Sequence, residues 1–172
     1  MSIPNNDLIN ELIELTPESN LAITRNERAA ATDNTQAAFD IIFSVDSSRL
    51  TPEIKYHFAS IVAEQTGSAT LAYFYQQSLG QHPLNLTDPA FKAAEKYLQT
   101  LVNHPKQTDY QLLNALTHHG WIESDIILLA QLITFVTYQA RLIEGLRLLQ
   151  QHEPSHIHTP LYVRNELLLI ML

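Results

Sequence analysis

The chain contains no cysteine. No disulfide can brace it, and no thiolate can act as nucleophile or redox relay, so thiol chemistry is excluded at the outset. The lack does not report a compartment, because there is no thiol to be oxidised. Glycine is scarce, with four residues in 172. They stand apart, so no Gly-rich phosphate cradle can form, and G-x-S-x-G, H-E-x-x-H and dinucleotide fingerprints are all missing. Basic residues are few: ten Lys and Arg against eighteen Asp and Glu give a formal charge of -8 and a pI near 5.4. They are scattered, so a phosphate backbone would meet mostly repulsion, and an anionic membrane surface is disfavoured for the same reason. The longest unbroken apolar run, Leu167 to Leu172, falls far short of a membrane span. The opening MSIPNNDLINELIEL has no basic n-region and no apolar h-region, which argues against a signal peptide. The expectation is a cytoplasmic protein with neither nucleic acid nor membrane as partner.

What is present reads as helix. Hydrophobic residues make up 45% of the chain, rich in Leu, Ile and Ala, and no strand alternation of useful length appears. The length suits one domain with a core that needs no staples. Leu8, Ile9, Leu12, Ile13 and Leu15 mark a short amphipathic helix that stops near Thr16-Pro17, and a polar stretch with Arg25 and Arg28 follows. Thr35 to Ser44 is a second helical run. Thr51-Pro52-Glu53 supplies a cap, a proline at the first helical position and a first-turn acid for a helix that Gly67 ends. Ser68 to Leu79 forms the next helix, closed by Gly80. Asp88-Pro89 starts another, which reaches about Val102. Thr108-x-x-Gln111 has the form of a capping box for a helix ending at Gly120. Ser124 is the expected cap of the longest helix, which runs to about Gln151 and carries two apolar stripes. Such a helix is central to its domain or buried between subunits. Pro154 and Pro160 bracket a His-containing linker, and the tail Leu161 to Leu172 is mostly apolar.

Leu50 to Leu79 (LTPEIKYHFASIVAEQTGSATLAYFYQQSL), the turn ALTHHG at Ala115–Gly120 and the segment DIILLAQLITFVTYQARLIEGLRLL at Asp125–Leu149 resemble the carboxymuconolactone decarboxylase family, which includes the alkylhydroperoxidase D-like enzymes, and in particular its peroxidase-related, cysteine-poor branch. The resemblance spans about residues 35–151. It implies an all-α fold, an alkylhydroperoxidase D-like helical bundle, with residues 1–34 as an N-terminal helical extension and 152–172 as linker and apolar tail. It also implies homo-oligomers (dimer, trimer or hexamer) and no cofactor. In the family's peroxidases a Glu, a Cys-x-x-Cys pair and a His form the redox relay. With Gly67 as anchor, those positions fall on Tyr56, on Ser68 and Leu71, and on Tyr75. Every relay member is replaced, so the resemblance implies the fold and argues against the reaction.

Five groups of residues are candidates for chemistry. Tyr56, Ser68 and Tyr75 either hydrogen-bond a small ligand between two helices or fill a closed cavity as satisfied polar groups. His57, Ser60 and Glu64 share one helical stripe, but His57 and Glu64 sit roughly 10 Å apart along the axis, so an exposed polar face is the better reading. His118 and His119 point about 100° apart and cannot readily share a metal. His152, Glu153, His156 and His158 lack a closed ligand set, because Pro154 breaks the helix that would align them. No metal is expected. Tyr138, Arg141 and Glu144 lie on the polar side of the long helix, where Arg141 either clamps a carboxylate or pairs with Glu144. Tyr75, Tyr138 and Arg141 are thus the ligand-binding candidates. The leading expectation is an oligomeric binding or structural protein without thiol peroxidase activity. The alternative is a cysteine-independent lyase or isomerase acting on a small carboxylate by acid–base chemistry.

Overall fold

The structure, a computed structural model, describes residues 7–45, 47–81 and 83–152. Glu153, His156, His158 and the apolar tail 161–172 lie outside the described residues. Among the described residues the fold is all-α, with no strand. The helices are α1 (Leu8–Leu12), α2 (Asn20–Glu27), α3 (Ala29–Ser44), α4 (Pro52–Gln65), α5 (Ala69–Leu79), α6 (Pro89–Asn103), α7 (Tyr110–His118) and α8 (Glu123–Gln151), with a short 3₁₀ turn at Pro105–Gln107.

Most boundaries follow from local chemistry. The Thr51 hydroxyl accepts from Ile54 N, with Pro52 directly behind it, and this starts α4. Asp88 does the same for α6 through Ala90 N. Gly67, at φ +82°, takes the left-handed conformation that turns the chain between α4 and α5 at no Cβ cost. Four expectations shift. Helix α3 starts at Ala29, ahead of the expected Thr35. The stretch with Arg25 folds as α2, capped by Ser19. Asp109, not Thr108, caps α7, accepting from Gln111 N and Leu112 N. Helix α8 begins at Glu123 with no side-chain cap, and Ser124 plays no capping part.

Helix α8 is the axis of the fold. It packs against α1, α3, α4 and α6, while α4 and α5 pack most extensively on each other. By length and composition alone α8 could cross a membrane, yet half of its most apolar window is packed inside this fold. Leu128, Leu129, Leu132, Ile133, Val136, Ala140 and Ile143 are buried there, together with Phe58, Ala59 and Val62 of α4 and Leu71 and Tyr75 of α5. A helix with apolar residues on more than one side belongs at such a centre.

Polar ties fix the periphery. Arg25 of α2 donates to Asp7 at 2.7 Å and to Asn10 at 2.8 Å, stapling α2 to α1. Arg147 and Gln150 of α8 donate to the Leu12 and Ile13 carbonyls at the end of α1. Lys55 is buried, and its ammonium donates to the Phe43 and Val45 carbonyls at the C-terminus of α3. A cation there satisfies free carbonyls and meets the negative end of the helix dipole.

Candidate functional site

The α4–α5 pair and the middle of α8 bring Tyr56, Ser68, Leu71 and Tyr75 into one region. Ser68, Leu71 and Tyr75 are each 0% exposed. Ser68 stands at the N-cap of α5 but does not cap it; its hydroxyl donates instead to Glu144 Oε1 at 3.0 Å. That bond brings a carboxylate of α8 to the positive end of α5. Glu144 lies 3.9 Å from Arg147, whose guanidinium also donates to Thr70 Oγ1 at 2.5 Å. Ser68, Glu144, Arg147 and Thr70 therefore form a continuous polar seam between α5 and α8.

Tyr75 closes the other end of this region. Its hydroxyl donates to Gln139 Oε1 at 2.5 Å, and Gln139 is itself buried. Phe43 stacks on both Tyr56 and Tyr75, with ring centroids 5.0 and 5.5 Å away, and Phe74 meets Tyr75 edge-on at 5.2 Å. Burial pushes the Tyr75 phenol well above the ordinary tyrosine range, the neighbouring Tyr56 adds to the rise, and the bond to Gln139 partly opposes it. Tyr75 stays neutral as a hydrogen-bond donor, and the arrangement is that of satisfied interior polar groups.

Tyr138 and Arg141 are brought together elsewhere. Both line an open trough of about 470 Å³ with Leu101, Ile133, Thr134, Thr137 and Leu142. The Tyr138 hydroxyl sits 3.1 Å from Thr35 Oγ1. The expected Arg141–Glu144 pairing does not form, because Glu144 turns toward Ser68 and Arg147. Tyr75, facing the interior on α5, is not part of this trough.

The other candidates separate. Ser60 donates to the His57 carbonyl at 2.8 Å and Glu64 accepts from Gln76 at 2.5 Å, so the α4 stripe is not one site. His57 packs 5.4 Å from the Phe91 ring. Burial lowers its pKa, against the opposing pull of Glu95 and then Glu64. His118 and His119 meet edge-on at 5.2 Å and line a shallow surface groove with Gln111 and Asn114. The His152 ring bonds the Leu148 carbonyl at 2.9 Å. Among the described residues no three His, Asp or Glu side chains gather where they could hold a metal.

Two features had no sequence signal. Asp125, in the first turn of α8, is buried and accepts from Ser47 at 2.6 Å and Ser48 at 3.2 Å. A partly enclosed cavity of about 190 Å³ lies beside them, walled by Arg49, Ile54, Phe91 and Trp121. Its residues come from segments far apart in sequence, so no local pattern marks it. No family model, curated protein or solved structure matches the chain.

Proposed function

We propose that this chain is a cysteine-free relative of the carboxymuconolactone decarboxylase and alkylhydroperoxidase D-like proteins, with their type of helical bundle. It works in the cytoplasm as a self-assembling binding or structural protein and has no thiol peroxidase activity. The observation that carries this reading is the closure of the relay region. Ser68, Leu71 and Tyr75 are fully buried, and the polar atoms of Ser68 and Tyr75 are committed to Glu144 and Gln139. A peroxide has no nucleophile to meet there and no path to one. Self-assembly draws support from a second feature. Between α3 and α8 runs an open apolar trough of about 710 Å³ that includes Ala38, Ile41, Ile127, Ala130 and Phe135. Ile41 is 61% exposed and Ile127 52% exposed. Monomers rarely leave such a patch in water, and a second copy of the chain is the partner that symmetric association supplies. Incubation with tert-butyl hydroperoxide and a dithiol reductant is the test of the chemistry. Consumption is expected to match the protein-free blank, and turnover above it would overturn the reading.

One observation favours a second reading. Arg141 makes no ion pair or hydrogen bond among the described residues and shares its trough with Tyr138. On that reading Arg141 clamps a small lactone carboxylate and Tyr138 delivers the proton in a decarboxylation or isomerisation. Proton NMR of a small lactone carboxylate incubated with the protein would then show product that Arg141→Ala abolishes. An unchanged substrate spectrum rejects it.

A further inference from the structure

The cavity beside Arg49 is built from three separate pieces of chain: the turn before α4, the loop leading into α6 and the α7–α8 junction. Arg49 is anchored there. Its Nε donates to the Gly120 carbonyl at 3.3 Å. Gly120 has φ +80°, and a Cβ on it would lie 2.6 Å from an Arg49 terminal nitrogen, so the guanidinium lies across a position only glycine leaves open. That anchoring uses Nε and leaves the two terminal nitrogens with no partner among the described residues. Asp88 lines the same cavity. One of its oxygens accepts from Ala90 N at 2.9 Å as the cap of α6, and the other has no partner among the described residues. No ion pair joins Arg49 to Asp88. The remaining wall joins the apolar Ile54, Leu84, Ala90, Phe91 and Trp121 to the polar Ser48 and Asn85. Trp121 is 3% exposed, and its indole nitrogen is already bonded to the Ala90 carbonyl.

An unpaired guanidinium and an unpaired carboxylate facing one small cavity ask for a ligand carrying both complementary charges. The apolar part of the wall, Ile54, Leu84, Phe91 and Trp121, suits a small hydrocarbon body. The volume lies below the range of about 300–1,000 Å³ that drug-sized ligands fill. We propose that this cavity binds a small zwitterion, an α-amino acid with an aliphatic side chain. Its carboxylate sits on the Arg49 fork, its ammonium on Asp88, and its side chain lies against Phe91 and Trp121. The site shares no residue with the relay region, the Arg141 trough or the α3–α8 trough, and does not depend on the function proposed above.

Trp121 is the chain's single tryptophan and reports on the cavity directly. The experiment titrates the full chain with L-leucine, reading Trp121 fluorescence and its indole NMR resonance, beside 4-methylpentanoate (carboxylate only) and 3-methylbutylamine (amine only). Leucine is expected to give a saturable change and each single-charge analogue to bind about tenfold more weakly or worse. Arg49→Gln and Asp88→Asn should each weaken leucine by a similar factor. Asn caps a helix about as well as Asp, so Asp88→Asn keeps α6 intact, and circular dichroism checks both variants. Absence of saturation with leucine overturns the proposal. So does equal binding of 4-methylpentanoate and leucine, or full leucine affinity in a folded Asp88→Asn variant.

Discussion

The Tyr75 hydroxyl and the Gln139 side-chain carbonyl meet at 2.5 Å, tying α5 to α8 where neither residue reaches solvent. Tyr75→Phe strands the Gln139 amide oxygen in the core. Leaving such a group unsatisfied costs about 1–3 kcal/mol. The double variant Tyr75→Phe with Gln139→Met removes both partners and should recover part of that loss. Urea unfolding of the wild type and the two variants checks it; a Tyr75→Phe midpoint equal to the wild type would show that the bond does not hold the helices.

Ser68→Cys with Leu71→Cys places two thiols about one helical turn apart at the start of α5, near enough for a disulfide. Both positions are fully buried, and under the proposed relationship the Glu and His places remain Tyr56 and Tyr75. The expected outcome is a disulfide that forms but supports little hydroperoxide turnover, with thiol titration and the peroxide assay as readouts. Family-like rates would mean that the two tyrosines are harmless to the relay.

His57 prefers to be neutral in the fold because burial lowers its pKa. Its contribution to stability is therefore complete above the ordinary imidazole value of about 6.5. As the pH falls below that value the unfolded chain takes up the proton first, and stability drops until the pH passes the lowered folded value. His57→Gln should flatten this part of the stability–pH curve. An NMR titration placing the folded His57 above the ordinary value would reverse the sign and refute the assignment.

How much of this was legible in the sequence varies by element. Thr51-Pro52-Glu53 and Asp88-Pro89 carry their signals within one turn, and the structure starts helices at both. Helix α2 reads as a polar stretch in the sequence, because NLAITRNE has little apolar face of its own. What ties it in place includes Arg25 reaching Asp7 and Asn10 on α1, which no local window shows. The cap of α7 falls one residue late because the Asp109 carboxylate, next to the Thr108 hydroxyl, reaches two backbone amides. Spacing on the helix put Glu144 beside Arg141, but Ser68 across the α5–α8 contact and Arg147 one turn on hold it instead. The sequence resemblance singles out Tyr56, Ser68, Leu71 and Tyr75. Their closure depends on Phe43, Phe74 and Gln139, which come from three different helices. The Arg49 cavity is likewise assembled only by the fold.

The trough between α3 and α8 predicts where a second copy sits. Ile41→Asp puts a charge on its exposed rim without entering the core. The variant should keep its helical circular dichroism while its assembly weakens.

Light scattering of the intact chain, beside Ile41→Asp, tests the account most directly. The chain mass is 19.5 kDa. At micromolar concentration the wild type should weigh at least twice that value, and Ile41→Asp should fall toward a single chain. A wild-type mass equal to one chain would contradict the self-assembly on which the proposed function rests.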